Sequence, residues 1–376
     1  MSDLNLKLEF PSGFAGKRVL VTGHTGFKGS WLCEWLLGLG ADVHGIALDP
    51  QDDQPLYNQL ELSQRLAADQ RIDLRDRENI TKVIQLTQPD FLFHLAAQPL
   101  VRLSYDIPVE TFTVNTLGTA HVLDALRPFT KPCVAVCITT DKCYENQEWL
   151  YGYREVDAMG GYDPYSASKG CAELVISSYR RSFFGPEHPV SVASARAGNV
   201  IGGGDWALDR IVPDCFRALE RGRSIAVRNK TATRPWQHVL EPLSGYLQLA
   251  LTIAATDARS ERHTPLTEGM NFGPALASNR TVAQLVQELL KHTPGSWDDQ
   301  SDPDACHEAS KLNLAIDKAY HLLGWQPVWD FSTTIAKTAF WYLDHQNGGD
   351  ASQRCQAQIS EYSADAQSID LPWART

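Results

Sequence analysis

Three glycines set between an apolar strand and the start of a helix constrain this chain more than any other feature. In the run VLVTGHTGFKGSWL, residues 18–22 are apolar, residues 28–39 carry a helical pattern, and Gly23, Gly26 and Gly29 fall at the turn between them. Glycine there permits a tight turn, close approach of a ligand to the backbone, and close packing of helix on strand. The free N–H groups and dipole of the first helical turn then face an anion. A diphosphate suits that place, with Thr25, Phe27 and Lys28 of the same motif around it. The alternative is a glycine-rich turn that holds nothing.

The alternation of strand and helix continues beyond the motif. Apolar runs at 43–48, 91–95, 134–139 and 190–195, bounded by turns, read as buried parallel strands. Helical patterns at 77–86, 109–126 and 165–184 are long enough to cross between them. The predicted fold class is α/β, a doubly wound parallel sheet of Rossmann type over residues 1–197. After Gly198 the chain turns Gly-, Arg- and Trp-rich, with helical patterns at 209–220, 241–254, 282–291 and 311–323. This predicts a smaller C-terminal α/β substrate-binding lobe over 198–376, with a segment near 236–275 returning to the first domain. In such folds ligands lie across the carboxyl ends of the strands, which places the cleft between the lobes.

A formal charge of −11 argues against nucleic acid or an anionic membrane as the main partner. An anionic substrate then needs local Arg and Lys. The eight cysteines show no Cys-x-x-Cys pair and no metal-ligand spacing, so reduced thiols and no metal are expected, as in the cytoplasm. The start of the chain, MSDLNLKLEF, lacks the basic and apolar blocks of an export signal, and no apolar run is long enough to span a bilayer.

Asp49 lies about 20 residues past Gly29, where an acid accepts hydrogen bonds from an adenosine ribose and repels a 2′-phosphate. That favours NAD over NADP; the alternative is an ordinary loop acid. Asp73 and Leu74 are placed to meet an adenine edge, and Leu95, Ala96 and Ala97 are small enough at a strand end to let the backbone approach a cofactor. Both segments are also compatible with plain strand ends.

Tyr165 and Lys169 stand four residues apart, on one helical face. A nearby ammonium stabilises phenolate, so the Tyr165 pKa is expected to fall towards working pH and make the phenol a base for a substrate hydroxyl. Upstream, 134–139 runs into Thr140, Asp141 and Lys142. Thr140 can share the hydrogen bond to the reacting oxygen, and Asp141 can donate a proton if a dry cleft raises its pKa. The plainer alternative is a helix cap with a surface ion pair.

With these pieces in place the chain resembles the extended short-chain dehydrogenase/reductase superfamily, and within it the CDP-glucose 4,6-dehydratase subfamily. The resemblance spans nearly the whole chain through TGHTGFKGSWL, HLAAQPLVR, TTDKCYEN, YSASKGCAE, RAGNVIGGGDWA and TRPWQHVLEPLSGYL. It implies bound NAD and CDP-glucose as substrate. The implied reaction is transient oxidation at C4, loss of water across C5–C6 and return of hydrogen to C6, as in deoxysugar and O-antigen biosynthesis. It assigns Tyr165, Thr140 and Lys169 to the C4 hydroxyl and Asp141 to the departing C6 hydroxyl. Most sugar-nucleotide 4,6-dehydratases carry Glu as the C5 base where this chain has Lys142, which acts either as that base or as a stabiliser of the enolate. Gln98, Asn199 and Arg234 are implied at the substrate, the last two at its diphosphate. Trp206 and Arg210 belong either to the phosphate and base pocket or to loop packing. A homodimer, or a homotetramer built from it, is implied through a four-helix interface of 109–126 and 165–184. A 4-epimerase on the same scaffold would not need Asp141, and an NAD-binding regulatory protein would not need Thr140, Tyr165 and Lys169 together.

Overall fold

The computed structural model describes residues 10–50, 54–301 and 311–375. Residues 1–9, which carry most of the amino-terminal stretch considered above, and Cys306 lie outside them. Strands β1 (Arg18–Thr22), β2 (Asp42–Ala47), β3 (Ala68–Arg71), β4 (Phe91–His94), β5 (Cys133–Thr140) and β6 (Val190–Ala197) pair in parallel in the order 3-2-1-4-5-6. A seventh strand, Gly269–Phe272, adds to the edge beyond β6 in the same direction. The chain thus returns to the first sheet within the stretch 236–275.

Because side chains alternate across a strand, each central strand feeds two apolar layers. Along β5, Val134, Val136 and Ile138 enter the layer that also holds Trp31, Leu36, Leu243 and Leu247. Cys133, Ala135 and Cys137 enter the layer that holds Ile80, Ile84, Val122 and Leu126. The helices Phe27–Gly38 and Leu240–Ala254 therefore cover one face, and Arg77–Thr87 and Gly118–Leu126 the other. Each fully buried side chain of this size contributes roughly 1.5–3 kcal/mol relative to exposure.

Differences from the sequence reading have physical causes. The helix expected at 109–126 is broken by a π turn, Thr113–Leu117, between Pro108–Phe112 and Gly118–Leu126. Gly118 leans on Leu74 so closely that a Cβ would lie 2.8 Å from it. The helix expected from 209 begins at Ile211, because Asp209 takes a left-handed φ of 62°. The helix expected over 311–323 spans only Asp317–Leu323, since residues ahead of it are drawn into pairing with Tyr153. β3 reads Ala-Asp-Gln-Arg and escaped notice because it is a polar strand at a sheet edge.

The late helices Phe331–Gln346 and Ala351–Ser368 are capped by Asp330 and Asp350. They are fastened to Leu240–Ala254 by one buried carboxylate. Glu241, wholly buried, accepts the backbone N–H groups of Val328 and Trp329 at 3.0 and 2.8 Å and the Tyr362 hydroxyl at 2.7 Å. Burial outweighs those donors and pushes the Glu241 pKa up from 4.5 to about 7. A carboxyl whose folded pKa is raised favours the fold most below its unfolded value, and that contribution is lost as pH rises towards 7. The loss is on the order of 3 kcal/mol. Glu241→Gln removes the titration while keeping an acceptor, so its melting temperature relative to the parent should rise between pH 5 and pH 8. A difference that stays constant across that range would show that Glu241 does not titrate there.

Candidate active site

β1 ends in the glycine turn, and the turn shows why two of its three glycines are needed by the protein itself. Gly23 has φ of +78°, and a Cβ there would lie 2.7 Å from the Ala96 nitrogen. A Cβ on Gly29 would fall inside contact distance of the Gly23 carbonyl and 2.8 Å from the His24 Cα. Gly26 is different. Its nearest neighbour would be 3.5 Å from a Cβ, and it opens the helix Phe27–Gly38 with no side chain capping the first N–H groups. Space and unmet donors at Gly26 fit a diphosphate brought by a ligand. The Thr25 hydroxyl donates to the Leu48 carbonyl at 3.0 Å, tying the turn to the end of β2, and Phe27 is buried against the position of Gly202.

Of the residues expected near the adenosine, Asp49 is exposed and accepts from Arg71 at 2.8 Å. The Asp73 carboxylate is engaged by Arg75, and Leu74 is buried against Gly118 at the start of the helix Gly118–Leu126. Ala96 sits directly beneath Gly23, with its N–H on the Thr22 hydroxyl at 3.2 Å; Leu95 and Ala97 flank it, half-buried. Gln98 is half-buried in the loop that follows β4. Its amide bridges Leu100 and Thr111, with 2.9 Å to the Thr111 hydroxyl, so it shapes its own loop rather than reaching outward.

The carboxyl end of β5 brings the expected reacting groups together. The Thr140 hydroxyl donates to one Asp141 oxygen at 2.9 Å and is hydrogen-bonded to the Tyr165 phenol. Tyr165 reaches it because Asp163 and Pro164 start the helix Pro164–Phe183 at the right point: Asp163 accepts from the Ser166 N–H at 2.9 Å and from its hydroxyl at 2.6 Å. All four groups, Thr140, Asp141, Tyr165 and Lys169, are buried. Lys142 is half-buried beside them, its backbone N–H on Thr140 at 3.3 Å.

Electrostatics correct one expectation. The Tyr165 pKa is raised, not lowered: burial disfavours phenolate and the Asp141 charge adds to it, while Thr140 and Arg210 pull the other way. Burial also depresses Lys169 to about 8 against the opposing charge of Glu173, so the ammonium that should stabilise phenolate is itself costly to hold. Burial raises the Asp141 pKa against the pull of Lys142, Thr140 and Arg234, and its second oxygen has no hydrogen-bond partner among the described residues.

Lys28 belongs to this cluster more than to a remote phosphate. Burial lowers it to about 7, with Arg210 and Lys169 adding and Asp141 opposing, and its ammonium lies 5.8 Å from the Tyr246 ring centre. Arg234 is buried and near enough to act on Asp141. Arg210 reaches the site while donating to Asp205 at 2.8 Å. Trp206 does not. It packs into the C-terminal helices against Tyr342 and His345, with ring centres 5.1 and 5.7 Å away. Asn199 stands half-buried just past β6.

Two residues at the site escaped the sequence reading. Gly198 faces Asp141, and a Cβ there would come within 2.7 Å of its unpartnered oxygen. Asn115, presented by the π turn, donates to the Ser168 hydroxyl at 2.8 Å and accepts the Gln98 N–H at 2.8 Å, joining the cofactor-side loop to the catalytic helix. The RAGN run carried a signal for the first; only the irregular helix reveals the second.

The sequence profile of the family described as GDP-mannose 4,6 dehydratase matches residues 20–338. A CDP-glucose 4,6-dehydratase of Salmonella typhimurium is 46% identical over 355 residues, which is 92% of this chain and 96% of that protein. This chain belongs to the extended short-chain dehydrogenase/reductase family of dehydratases and epimerases. Two solved structures show the same fold. A dTDP-glucose 4,6-dehydratase of Bacillus anthracis, in complex with NAD, has a TM-score of 0.71 at 18% identity and covers 90% of this chain and 100% of its own. A UDP-glucose 4-epimerase of Thermotoga maritima, with UDP-glucose, has a TM-score of 0.73 at 21% identity over 88% and 99%.

In this member of the family Gly198→Ala should push the Asp141 carboxyl out of place. Turnover is expected to fall roughly 100-fold, the scale of an ångström misplacement at a reacting group, with a melting temperature near that of the parent. Parental turnover in a folded variant would mean that the Asp141 position is immaterial to the chemistry.

Proposed function

We propose that this chain is a hydro-lyase that converts CDP-D-glucose into CDP-4-keto-6-deoxy-D-glucose and water. The observation that carries the reading is Thr140, whose one hydroxyl joins a buried phenol to a buried carboxyl of raised pKa. A 4-epimerase needs the phenol but no acid at C6. The near full-length identity of 46% to a CDP-glucose 4,6-dehydratase supports the same substrate.

Gly23, Gly26, Gly29, Asp49 and Ala96 would hold NAD, with Lys169 at its nicotinamide ribose. When bound it accepts the hydrogen from C4 and gives it back at C6. Tyr165, helped by Thr140 and Lys169, would take the C4 hydroxyl proton as the C4 ketone forms, a step that requires its phenolate and so works against the burial that raises its pKa. The ketone acidifies C5–H, and Lys142 stands on the same strand end to remove that proton or to stabilise the enolate. Asp141, whose pKa burial raises, would give a proton to the C6 hydroxyl, which departs as water and leaves the C5–C6 double bond. Arg234, Arg210 and Asn199 would meet the substrate diphosphate.

A homodimer would pair through the helices on either side of the π turn together with Pro164–Phe183, on whose surfaces Val109, Leu117 and Leu174 stand exposed. Among the described residues no helix is long and apolar enough to cross a membrane. The seven described cysteines are free, which suits a reducing cytoplasm.

Incubation of the pure protein with CDP-glucose and NAD should give a 4-keto product, seen by its ultraviolet absorbance in alkali, with no steady build-up of NADH. Accumulating NADH or an isomerised hexose would overturn the reading. Asp141→Asn should keep NAD binding and C4 oxidation while slowing elimination roughly 10²- to 10⁴-fold; unchanged turnover removes Asp141 from the mechanism. In Lys142→Met, loss of C5 exchange with deuterated solvent assigns the base, and retained exchange assigns Lys142 to the enolate.

A further inference from the structure

Lys169 has to stay charged where little around it favours a charge. Its side chain is buried, and its ammonium donates to the Ile138 carbonyl at 3.4 Å. Burial lowers its pKa to about 8. The thiols of Cys137 on β5 and Cys143 just past it act on Lys169, but burial pushes the first up to about 12 and the second well above the usual thiol range. Neutral thiols supply no counter-charge. His94 of β4 is neutral as well, lowered by burial to about 3, and Lys28 repels. Asp141 is itself pushed by burial towards its neutral form. On the helices packed outside, Arg102, Asp106 and Glu110 are exposed, Asp124 pairs with Arg77 and Arg127, and His121 meets the Leu74 carbonyl. The carboxylate that opposes the burial of Lys169 is Glu173.

The geometry ties Glu173 to that task. It stands four residues beyond Lys169 on the helix Pro164–Phe183, so the two side chains leave one face. They reach consecutive residues of β5: Lys169 meets the Ile138 carbonyl, and Glu173 accepts the Thr139 hydroxyl. From β6 the Ser194 hydroxyl and the Arg196 guanidinium hold the other carboxylate oxygen at 2.7 and 2.8 Å. We propose that Glu173 is a positioning residue for the chemistry: its fixed carboxylate is the counter-charge that lets Lys169 remain an ammonium beside the Tyr165 phenol. This rests on the reading of Tyr165 and Lys169 as the reacting pair. Burial already opposes phenolate at Tyr165. With the ammonium lost as well, the phenol cannot take the C4 hydroxyl proton, even with Thr140 and Tyr165 in place. Arg196 serves the same end at one remove, because its charge and the donors from Thr139 and Ser194 keep the Glu173 pKa below the usual value against burial.

The test follows the titration of Lys169 in the full-length chain without substrate, by NMR of isotope-labelled lysine, its resonance assigned by its loss in Lys169→Arg. The parent midpoint should lie well below that of an exposed lysine. In Glu173→Gln it should fall further, by roughly one pH unit or more. Turnover of CDP-glucose by that variant should drop roughly 5- to 10-fold at pH 8, as the ammonium fraction does, and the deficit should narrow at pH 6. Glu173→Asp keeps the charge and should lie nearer the parent in both measurements. If Glu173→Gln does not fold because Arg196 is left unpaired, the double variant Glu173→Gln with Arg196→Gln removes both charges and should still show a lowered midpoint. An unmoved midpoint, one moved as far by Glu173→Asp as by Glu173→Gln, or a deficit equal at pH 6 and pH 8 would each overturn the inference and leave the dehydratase reading standing. A chain whose Lys169 responds as expected while CDP-glucose stays unchanged overturns the dehydratase reading alone.

Discussion

A single buried carboxylate, Glu173, holds the catalytic end of this molecule together. It projects from the helix Pro164–Phe183, one turn beyond Lys169, into the space between β5 and β6. There it accepts the Thr139 hydroxyl, the Ser194 hydroxyl at 2.7 Å and the Arg196 guanidinium at 2.8 Å. Arg196 continues to the Tyr144 hydroxyl at 2.7 Å, and Tyr144 donates to Asn271 on the seventh strand at 2.8 Å. The residues on both sides of Thr140, Asp141 and Lys142 are thereby fixed to the helix that carries Tyr165. Removing one partner of such a buried pair leaves a charge without compensation, which typically costs 3–5 kcal/mol. The reacting groups thus rest on a polar core with its main demands met.

The contrast between Glu173 and Asp141 shows how one fold gives two buried carboxyl groups opposite characters. Burial works against ionisation of both. At Glu173 the Arg196 charge and three donors outweigh it, and the carboxyl stays ionised with its pKa below the usual value. At Asp141 one oxygen accepts from Thr140, the other has no hydrogen-bond partner among the described residues and lies beside Gly198, and burial prevails over the pull of Lys142, Thr140 and Arg234. The pairing of a support whose pKa is lowered with a carboxyl whose pKa is raised is the pattern expected where one group must stay put and the other must deliver an acid.

Legibility in the sequence followed the same division between backbone and environment. The doubly wound sheet, the glycine turn and the meeting of Thr140, Asp141, Tyr165 and Lys169 could be read from spacing, because strand alternation and a four-residue helical step fix which side chains share a face. Charge environments could not. The pKa of Tyr165 depends on how completely the phenol is enclosed, and enclosure comes from Arg210, Asp141 and helix Leu240–Ala254, all distant in sequence. For Trp206 the sequence left pocket and loop packing open; Gly203 and Gly204 let the loop pack against Trp341 and Leu56, and the indole packs on Tyr342. Asn115 was invisible for a related reason: it points at the catalytic helix only because the π turn adds a residue to the regular step.

The cleft also reverses the sign of the whole molecule. The chain carries a formal charge of −11, but Lys28, Lys142, Lys169, Arg210 and Arg234 gather around one carboxyl that is itself disposed to be neutral. These cations disfavour one another: burial is the main cause that lowers Lys28 to about 7, and Arg210 and Lys169 push it further the same way. On the proposed reading, a nucleotide diphosphate sugar would offset that repulsion by placing negative charge where the cations converge. The repulsion that makes the cluster a poor contributor to stability would, on that reading, favour an anionic substrate, which the formal charge of −11 on the whole chain would otherwise repel.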